Sequence, residues 1–238
     1  MSATSAQFAA DAVAYHGSLA NEWECRYQKS SFQMRRAVLE KCLRGRNLTG
    51  TLWLDAGCGT GTLARSLAAR GCGVVGVDAA PEMVAAANQS LCSENQSGRL
   101  SFVRVKTIAR LALDDRSLDG ILCSSVLEYQ PDPEACLTEF ARVLKPRGLL
   151  LVSVPNRDSM ARRLQLACHR FGGLMGQSWC KFLDYSRNQY SKPEFDCLLK
   201  ANGFSAEKLE PFGGPLPRLA RRSIHWAPLL MFVARRLA

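Results

Sequence analysis

Only three histidines occur in the 238 residues, at positions 16, 169 and 225, and the ten cysteines include no Cys-x-x-Cys pair. Metal-ligand spacing is therefore missing, and no metal centre is expected. The cysteines, at positions 25, 42, 58, 72, 92, 123, 136, 168, 180 and 197, are too scattered for a disulfide framework. Reduced thiols in a cytoplasmic protein are the expectation. Met1 to Ala14 lack an apolar leader core. No apolar run approaches the ~20 residues that span a bilayer. There is no phosphate-gripping loop with a terminal Lys-Ser or Lys-Thr, no Gly-x-Gly-x-x-Gly dinucleotide fingerprint, no internal repeat and no low-complexity tract.

The informative stretch is short. Leu52-Trp53-Leu54-Asp55-Ala56 is an apolar run carrying a carboxylate near its end, and Gly57, Gly59 and Gly61 follow at every second position. From Thr62 to Arg70, Leu63 and Leu67 fall with Ala64 and Ala68 on one side of a helix. The pattern predicts a buried parallel strand, a tight turn and a helix. Residues without a Cβ let the backbone turn sharply and let a ligand lie against it. Asp78 stands 21 residues beyond Gly57, after a second apolar run, Val74-Val75-Gly76-Val77. An acid at such a strand tip is placed to accept hydrogen bonds from ribose hydroxyls.

Around this centre the chain alternates as βαβ units should. Residues 1–20 look loosely ordered, and 21–27 and 31–43 read as amphipathic helices. Trp23, Tyr27 and Phe32 there suit either a cover over a ligand or the packing of an added helix. Pro81 and Pro133 open helices; 100–105, 118–124 and 149–154 read as strands, with Lys145-Pro-Arg-Gly148 a turn. Residues 157–190 interrupt the rhythm with a basic insertion rich in apolar and aromatic side chains. Ser191-Lys-Pro-Glu194 is a capping box that starts a helix running to about Asn202. Phe204 to Leu209 is the next expected strand. The net charge of +10 is uneven: residues 157–238 hold 14 Lys and Arg against 6 Asp and Glu, whereas 1–156 hold 17 against 15. A basic last third suggests an anionic partner, with a plain solvated surface as the alternative.

Asp55-Ala-Gly-Cys-Gly-Thr-Gly61, with Asp78 at its distance, resembles the first motif of class I S-adenosylmethionine-dependent methyltransferases. Leu111 to Asp119, Ser125-Val-Leu-Glu-Tyr-Gln-Pro-Asp-Pro133 and Val143 to Leu150 are similar to the same superfamily. With Val154 to Ser159 and Gln189 to Phe195, the sequence looks closest to the ubiquinone-biosynthesis O-methyltransferase branch and its relatives. The resemblance implies an α/β, Rossmann-like sandwich, a mostly parallel seven-stranded sheet with an antiparallel last strand and helices on both faces. Residues 228–236 would then be the final strand of a closing hairpin rather than a membrane-surface helix. Residues 1–49 would form an N-terminal helical cover, 50–156 the cofactor-binding core, 157–190 a lid or insertion on the substrate or membrane side, and 191–238 the closing helix and hairpin.

The same resemblance implies S-adenosylmethionine as cofactor and gives its contacts. Gly57, Gly59 and Gly61 would let the backbone approach the methionine part, with Asp55 beneath it near the ammonium. Asp78 would hold the ribose hydroxyls, Ala79 and Met83 would border the adenine, and Cys123 and Ser124 would line the side of the transferred methyl. Thr107 and Ile108 occupy the place where many relatives carry a carboxylate for the adenine amino group. Many relatives read Leu-Glu-His where this chain has Leu127-Glu128-Tyr129, so a histidine base is missing there. Glu128 and Tyr129 are the substitutes, with bracing of the next loop as the other role for Glu128. The expected activity is methyl transfer to a small molecule, a hydroxyl of a lipophilic or aromatic compound. The rivals are a nucleic-acid methyltransferase, against which the absence of an Asn-Pro-Pro-Tyr or Asp-Pro-Pro-Tyr motif after the fourth strand speaks, and a non-catalytic scaffold that binds the cofactor. The cations of 157–190, Arg157, Arg162, Arg163, Arg170 and Lys181, among Met160, Leu164, Leu166, Phe171, Leu174, Met175, Trp179 and Phe182, suit a lid touching an anionic membrane surface; a soluble lid packed on its own domain is the alternative.

Overall fold

The computed structural model describes residues 3–27, 30–94, 99–174, 181–214 and 223–238. Among these, seven strands form one sheet: β1 (Leu52–Ala56), β2 (Gly73–Asp78), β3 (Leu100–Arg104), β4 (Leu118–Ser124), β5 (Leu144–Pro155), β6 (Phe204–Phe212) and β7 (Leu229–Arg236). Their order is β3-β2-β1-β4-β5-β7-β6. The first five run parallel, and β7 is antiparallel to both β5 and β6. Helices α1 (Ala3–Gly17), α2 (Ala20–Tyr27), α3 (Ser30–Cys42), α4 (Thr62–Ala68), α5 (Pro81–Glu94), α6 (Pro133–Val143), α7 (Met160–Leu174) and α8 (Lys192–Ala201) surround it.

Period-two alternation sorts the strand side chains into two cores. Trp53, Leu122, Leu151 and Val233 join Leu39 of α3 and Leu67 of α4 on one face. Leu54, Ile121, Leu150 and Phe232 join Phe140 of α6 and Phe195 of α8 on the other. The central strands are buried on both faces, which is why they read as unbroken apolar runs. The capping box forms as the sequence indicates: Ser191 Oγ accepts from the Glu194 N–H, and Glu194 returns a bond to the Ser191 N–H.

Two expectations are corrected. Residues 3–17 are helical rather than loose. Their buried side includes Ala12 and Phe8, and small alanines give little apolar periodicity while favouring the helix intrinsically. The segment Lys145–Gly148, expected as a turn before a strand, lies inside β5 as a bulge. Leu118 pairs with Leu144, and pairing resumes at Gly120 with Leu149. Arg147 takes the left-handed conformation, φ 64°, and its carbonyl accepts a 2.9 Å bond from Arg235 on β7.

Candidate functional site

In a parallel sheet with this order the chain leaves β1 towards β2 on one side, while β4 lies on the other. The crevice at the carboxyl ends of β1 and β4 is therefore the topological switch point where ligands bind in such sheets. The tips of β1, β2 and β4 carry Asp55, Asp78 and Ser124, so the fold brings together the residues the sequence selected from three separate runs.

The turn after β1 has three glycines in the left-handed region, at φ 78°, 53° and 82° for Gly57, Gly59 and Gly61. The reason differs at each. A Cβ on Gly57 would collide with Val126 and one on Gly61 with Phe102, so these two glycines answer to packing. A Cβ on Gly59 would lie 3.1 Å from the indole nitrogen of Trp23, on the second helix of the N-terminal segment. Asp78 ties this turn to α5: one carboxylate oxygen accepts from the Gly59 N–H and the other from the Ala80 N–H, each at 2.9 Å. Burial raises its pKa, while those N–H groups and His16 pull it down.

Asp55 is buried, and its Oδ2 has no hydrogen-bond partner. Its pKa rises to about 7, by burial first and by the neighbouring Asp78 second, against a backbone hydrogen bond from Ala64. Thr60 Oγ1 is also buried without a partner. Orphaned polar atoms at a glycine turn are costly unless a ligand satisfies them.

Met83 of α5 is buried against Ala20 and Ala80, with Val13 and Trp23 partly buried beside them. The N-terminal helices thus pack over the Ala79–Met83 side of the turn. Cys123 is fully buried in the core beside Ile121 and Leu54 rather than at the surface of the crevice. Ser124 approaches Ser153, Oγ to Oγ 3.5 Å. Thr107 is exposed and its hydroxyl accepts from the Ala109 N–H at 3.1 Å, while Ile108 is buried in the core. Of the two catalytic candidates, Glu128 is enclosed: Ser186 donates to its carboxylate, and Arg162, itself 2% exposed, lies 3.6 Å away and donates to Ser186 Oγ at 2.6 Å. The Glu128 carbonyl also accepts from the Arg187 and Asn188 N–H groups. This is a brace between the β4 tip and the segment after α7, and it removes Arg162 from the surface cations. Burial drives the Tyr129 hydroxyl well above its ordinary range.

Several residues at the site escaped the sequence reading. Ser125 is a left-handed non-glycine residue, φ 59°, whose N–H donates to Ser153 Oγ at 2.9 Å. His16 sets its ring edge-on to Tyr129 with centroids 4.6 Å apart. Tyr15 stacks on Tyr185 at 4.8 Å, joining α1 to the end of the insertion. A weak alanine periodicity in α1 was the available signal. The side chains of Tyr27, Phe32, Leu174, Met175 and Trp179 lie outside the described residues. Among the described residues no group of three His, Cys, Asp or Glu side chains is arranged to hold a metal ion.

Comparison with known proteins gives the following. Residues 54–152 match the family model of a methyltransferase domain. A ubiquinone biosynthesis O-methyltransferase of Xanthomonas oryzae pv. oryzae is 39% identical over 116 residues, 48% of this chain and 47% of that protein. A protein of the same name from Xanthomonas euvesicatoria pv. vesicatoria is 36% identical over 148 residues, 60% of each chain. The chain thus spans about half the length of the first of these relatives. Among solved structures, magnesium protoporphyrin IX methyltransferase from Synechocystis with bound S-adenosylhomocysteine superposes with a TM-score of 0.63 at 24% identity, covering 84% of this chain and 81% of that one. The cyclase SpnF superposes at 0.66 with 19% identity, over 88% and 84%. The fold is the class I, Rossmann-like methyltransferase sandwich.

Proposed function

We propose that this chain, whose residues 54–152 form a methyltransferase domain, transfers a methyl group from S-adenosylmethionine to a hydroxyl of a small lipophilic or aromatic acceptor. The observation that carries the reading is the orphaned, buried Asp55 carboxylate beneath the glycine turn. The ammonium of the cofactor is the cation that would satisfy it. Asp78 would accept from the ribose hydroxyls with the lone pairs left over from Gly59 and Ala80. Ala79 and Met83 would border the adenine, with Thr107 and Ile108 at its far edge. Ser124 would lie towards the reacting end, and Cys123 would back it from the core. A cyclase on the same fold means that the fold alone does not select methyl transfer; the names of the sequence relatives favour an oxygen acceptor.

When bound, the cofactor supplies an electrophilic methyl group with a good leaving group already in place. The chain then has to align the acceptor, exclude water and receive a proton. Trp23 over Gly59, and α1 packed on α5, are suited to excluding water.

The protein is proposed to work in the cytoplasm, with peripheral contact to an anionic membrane surface through 157–190. No helix among the described residues is long and apolar enough to cross a membrane. On α7, Met160, Leu164 and Phe171 are 49%, 65% and 65% exposed, and 3.6-residue periodicity puts them in one stripe. Arg163 and Arg170 are exposed beside it.

Calorimetric titration with S-adenosylmethionine tests the cofactor assignment. Asp78→Ala should weaken binding by about 1–3 kcal/mol. Gly59→Val should weaken it further, because a branched side chain there is strained at positive φ and strikes Trp23. Melting curves of both variants separate lost binding from a loosened turn. Wild-type affinity in both would refute the assignment.

A further inference from the structure

Among the described residues, three other than glycine take the left-handed conformation. Arg116 precedes β4 and Arg147 lies in the β5 bulge, both towards the amino ends of those strands. Ser125, φ 59°, stands instead at the carboxyl end of β4, beside the ligand crevice. A side chain in this conformation crowds the following carbonyl. It persists only where the surroundings hold it, and such residues gather at functional sites.

Ser153 holds it. β4 and β5 pair as far as Ser124 with Ser153, and the next amide, that of Ser125, donates to Ser153 Oγ at 2.9 Å. Ser153 is fully buried and paired on its other side with Met231 of β7, so the sheet sets its position. Its Oγ also lies 3.4 Å from Ser125 Oγ and 3.5 Å from Ser124 Oγ, either of which can take its hydrogen. The chain then turns so that Val126 lands on the glycine turn after β1. A Cβ on Gly57 would strike its methyl groups. Beyond Val126 the chain is held again, by Asn188 Nδ2 donating to the Leu127 and Gln130 carbonyls at 2.8 and 2.7 Å. The glycine turn itself is tied towards β2. The Gly57 and Cys58 N–H groups donate to the Val77 carbonyl at 2.8 and 3.0 Å, and Gly59 donates to Asp78. Towards β4 it is Val126 that bears on it, so hydrogen bonds on one side face a packed side chain on the other.

We propose that Ser153 is a positioning residue for the cofactor. Its hydroxyl holds Ser125 left-handed, Ser125 seats Val126 on Gly57, and that seat keeps the glycine turn in the shape that receives S-adenosylmethionine. Ser153 acts through these two residues, from the core. The proposal rests on the cofactor assignment above. Without the hydroxyl, the Ser125 N–H loses its acceptor while the backbone strain remains. The chain relaxes at 125, Val126 leaves the turn, and the turn is no longer pre-organised for its ligand. A glycine at 125 carries no such strain, so it keeps the reversal without help from Ser153.

The test is a double-mutant cycle on the full chain. Ser153→Ala is made in the wild type and in Ser125→Gly, and each protein is titrated calorimetrically with S-adenosylmethionine well below its melting temperature. In the wild-type background Ser153→Ala should weaken binding about tenfold, the worth of one hydrogen bond. In the Ser125→Gly background the same change should cost about twofold or less. Val126→Ala, which leaves both serines in place, should also weaken binding. Ser153→Cys, a poorer acceptor of similar size, replaces Ser153→Ala should that variant fail to fold. A lowered melting temperature with unchanged affinity would make Ser153 merely structural and overturn the proposal. So would an equal loss of affinity in the two backgrounds, or Val126→Ala binding as tightly as the wild type. A wild type that binds no S-adenosylmethionine overturns instead the cofactor assignment on which the proposal rests.

Discussion

Asp55 holds its proton more tightly in the folded protein than in the unfolded chain, because burial and Asp78 both disfavour its anion. Its contribution to stability is fully present below the unfolded value of 3.8 and is lost as pH rises towards about 7. The cofactor-free protein should therefore melt at progressively lower temperature across that window. Asp55→Asn should flatten the slope, gaining about 2–4 °C at pH 8 for each kcal/mol relieved. The same variant should bind S-adenosylmethionine more weakly by about 1.5–3 kcal/mol, the worth of a hydrogen bond to a charged group. Parallel melting of variant and wild type at every pH would show that Asp55 is not the buried acid described. Asp55 and Asp78 were legible in the sequence because a strand tip fixes where its last side chain goes. His16 was not, since a lone histidine in an alanine-rich segment has no spacing to anything. Ser125 was equally hidden, because its strain is imposed by Ser153 from a neighbouring strand.

At the scale of elements, the strands and the helices opened by proline or a capping box could be read directly, since each is written in local periodicity. The bulge in β5 could not, because it depends on where β4 and β7 sit. Helix α7 shows both cases. Its amphipathic character is visible in the sequence, but which cation is buried is decided by Glu128 and Ser186. Arg162 is therefore the wrong residue with which to test a membrane contact, since its removal would leave a buried carboxylate uncompensated. Arg163→Glu with Arg170→Glu is the better pair. Each exposed cation near an anionic bilayer contributes about 1 kcal/mol, screened by salt. The wild type should co-sediment with anionic vesicles more than with neutral ones, and the double variant should lose that preference. Equal recovery with both vesicle types, unaltered in the variant, would assign α7 to a soluble lid.

For the whole molecule, the excess of positive charge lies in residues 157–238, beyond the stretch 54–152 that matches the methyltransferase-domain model. Activity should be unchanged by a strong chelator, because alignment and proton removal are left to protein side chains. Activity abolished by the chelator and restored by magnesium would contradict this. The basic bias was countable from the sequence, while the meeting of α1 with residues 181–190 through Tyr15 and Tyr185 was not, since about 170 residues separate the two rings.

The sheet order has a consequence for synthesis. Of the seven described strands β7 is made last, yet it lies between β5 and β6 and supplies the pairing partners of both. A nascent chain that has already exposed β6 cannot seat it, and the edge of β5 stays open until residues 229–236 have left the ribosome. At 5–20 residues per second, the stretch from β6 to β7 leaves an interval on the order of seconds. During it an apolar strand edge is unpaired and open to a second chain. The parallel half, β1 to β5, can meanwhile assemble as each strand emerges, so the ligand crevice is framed before the molecule can close.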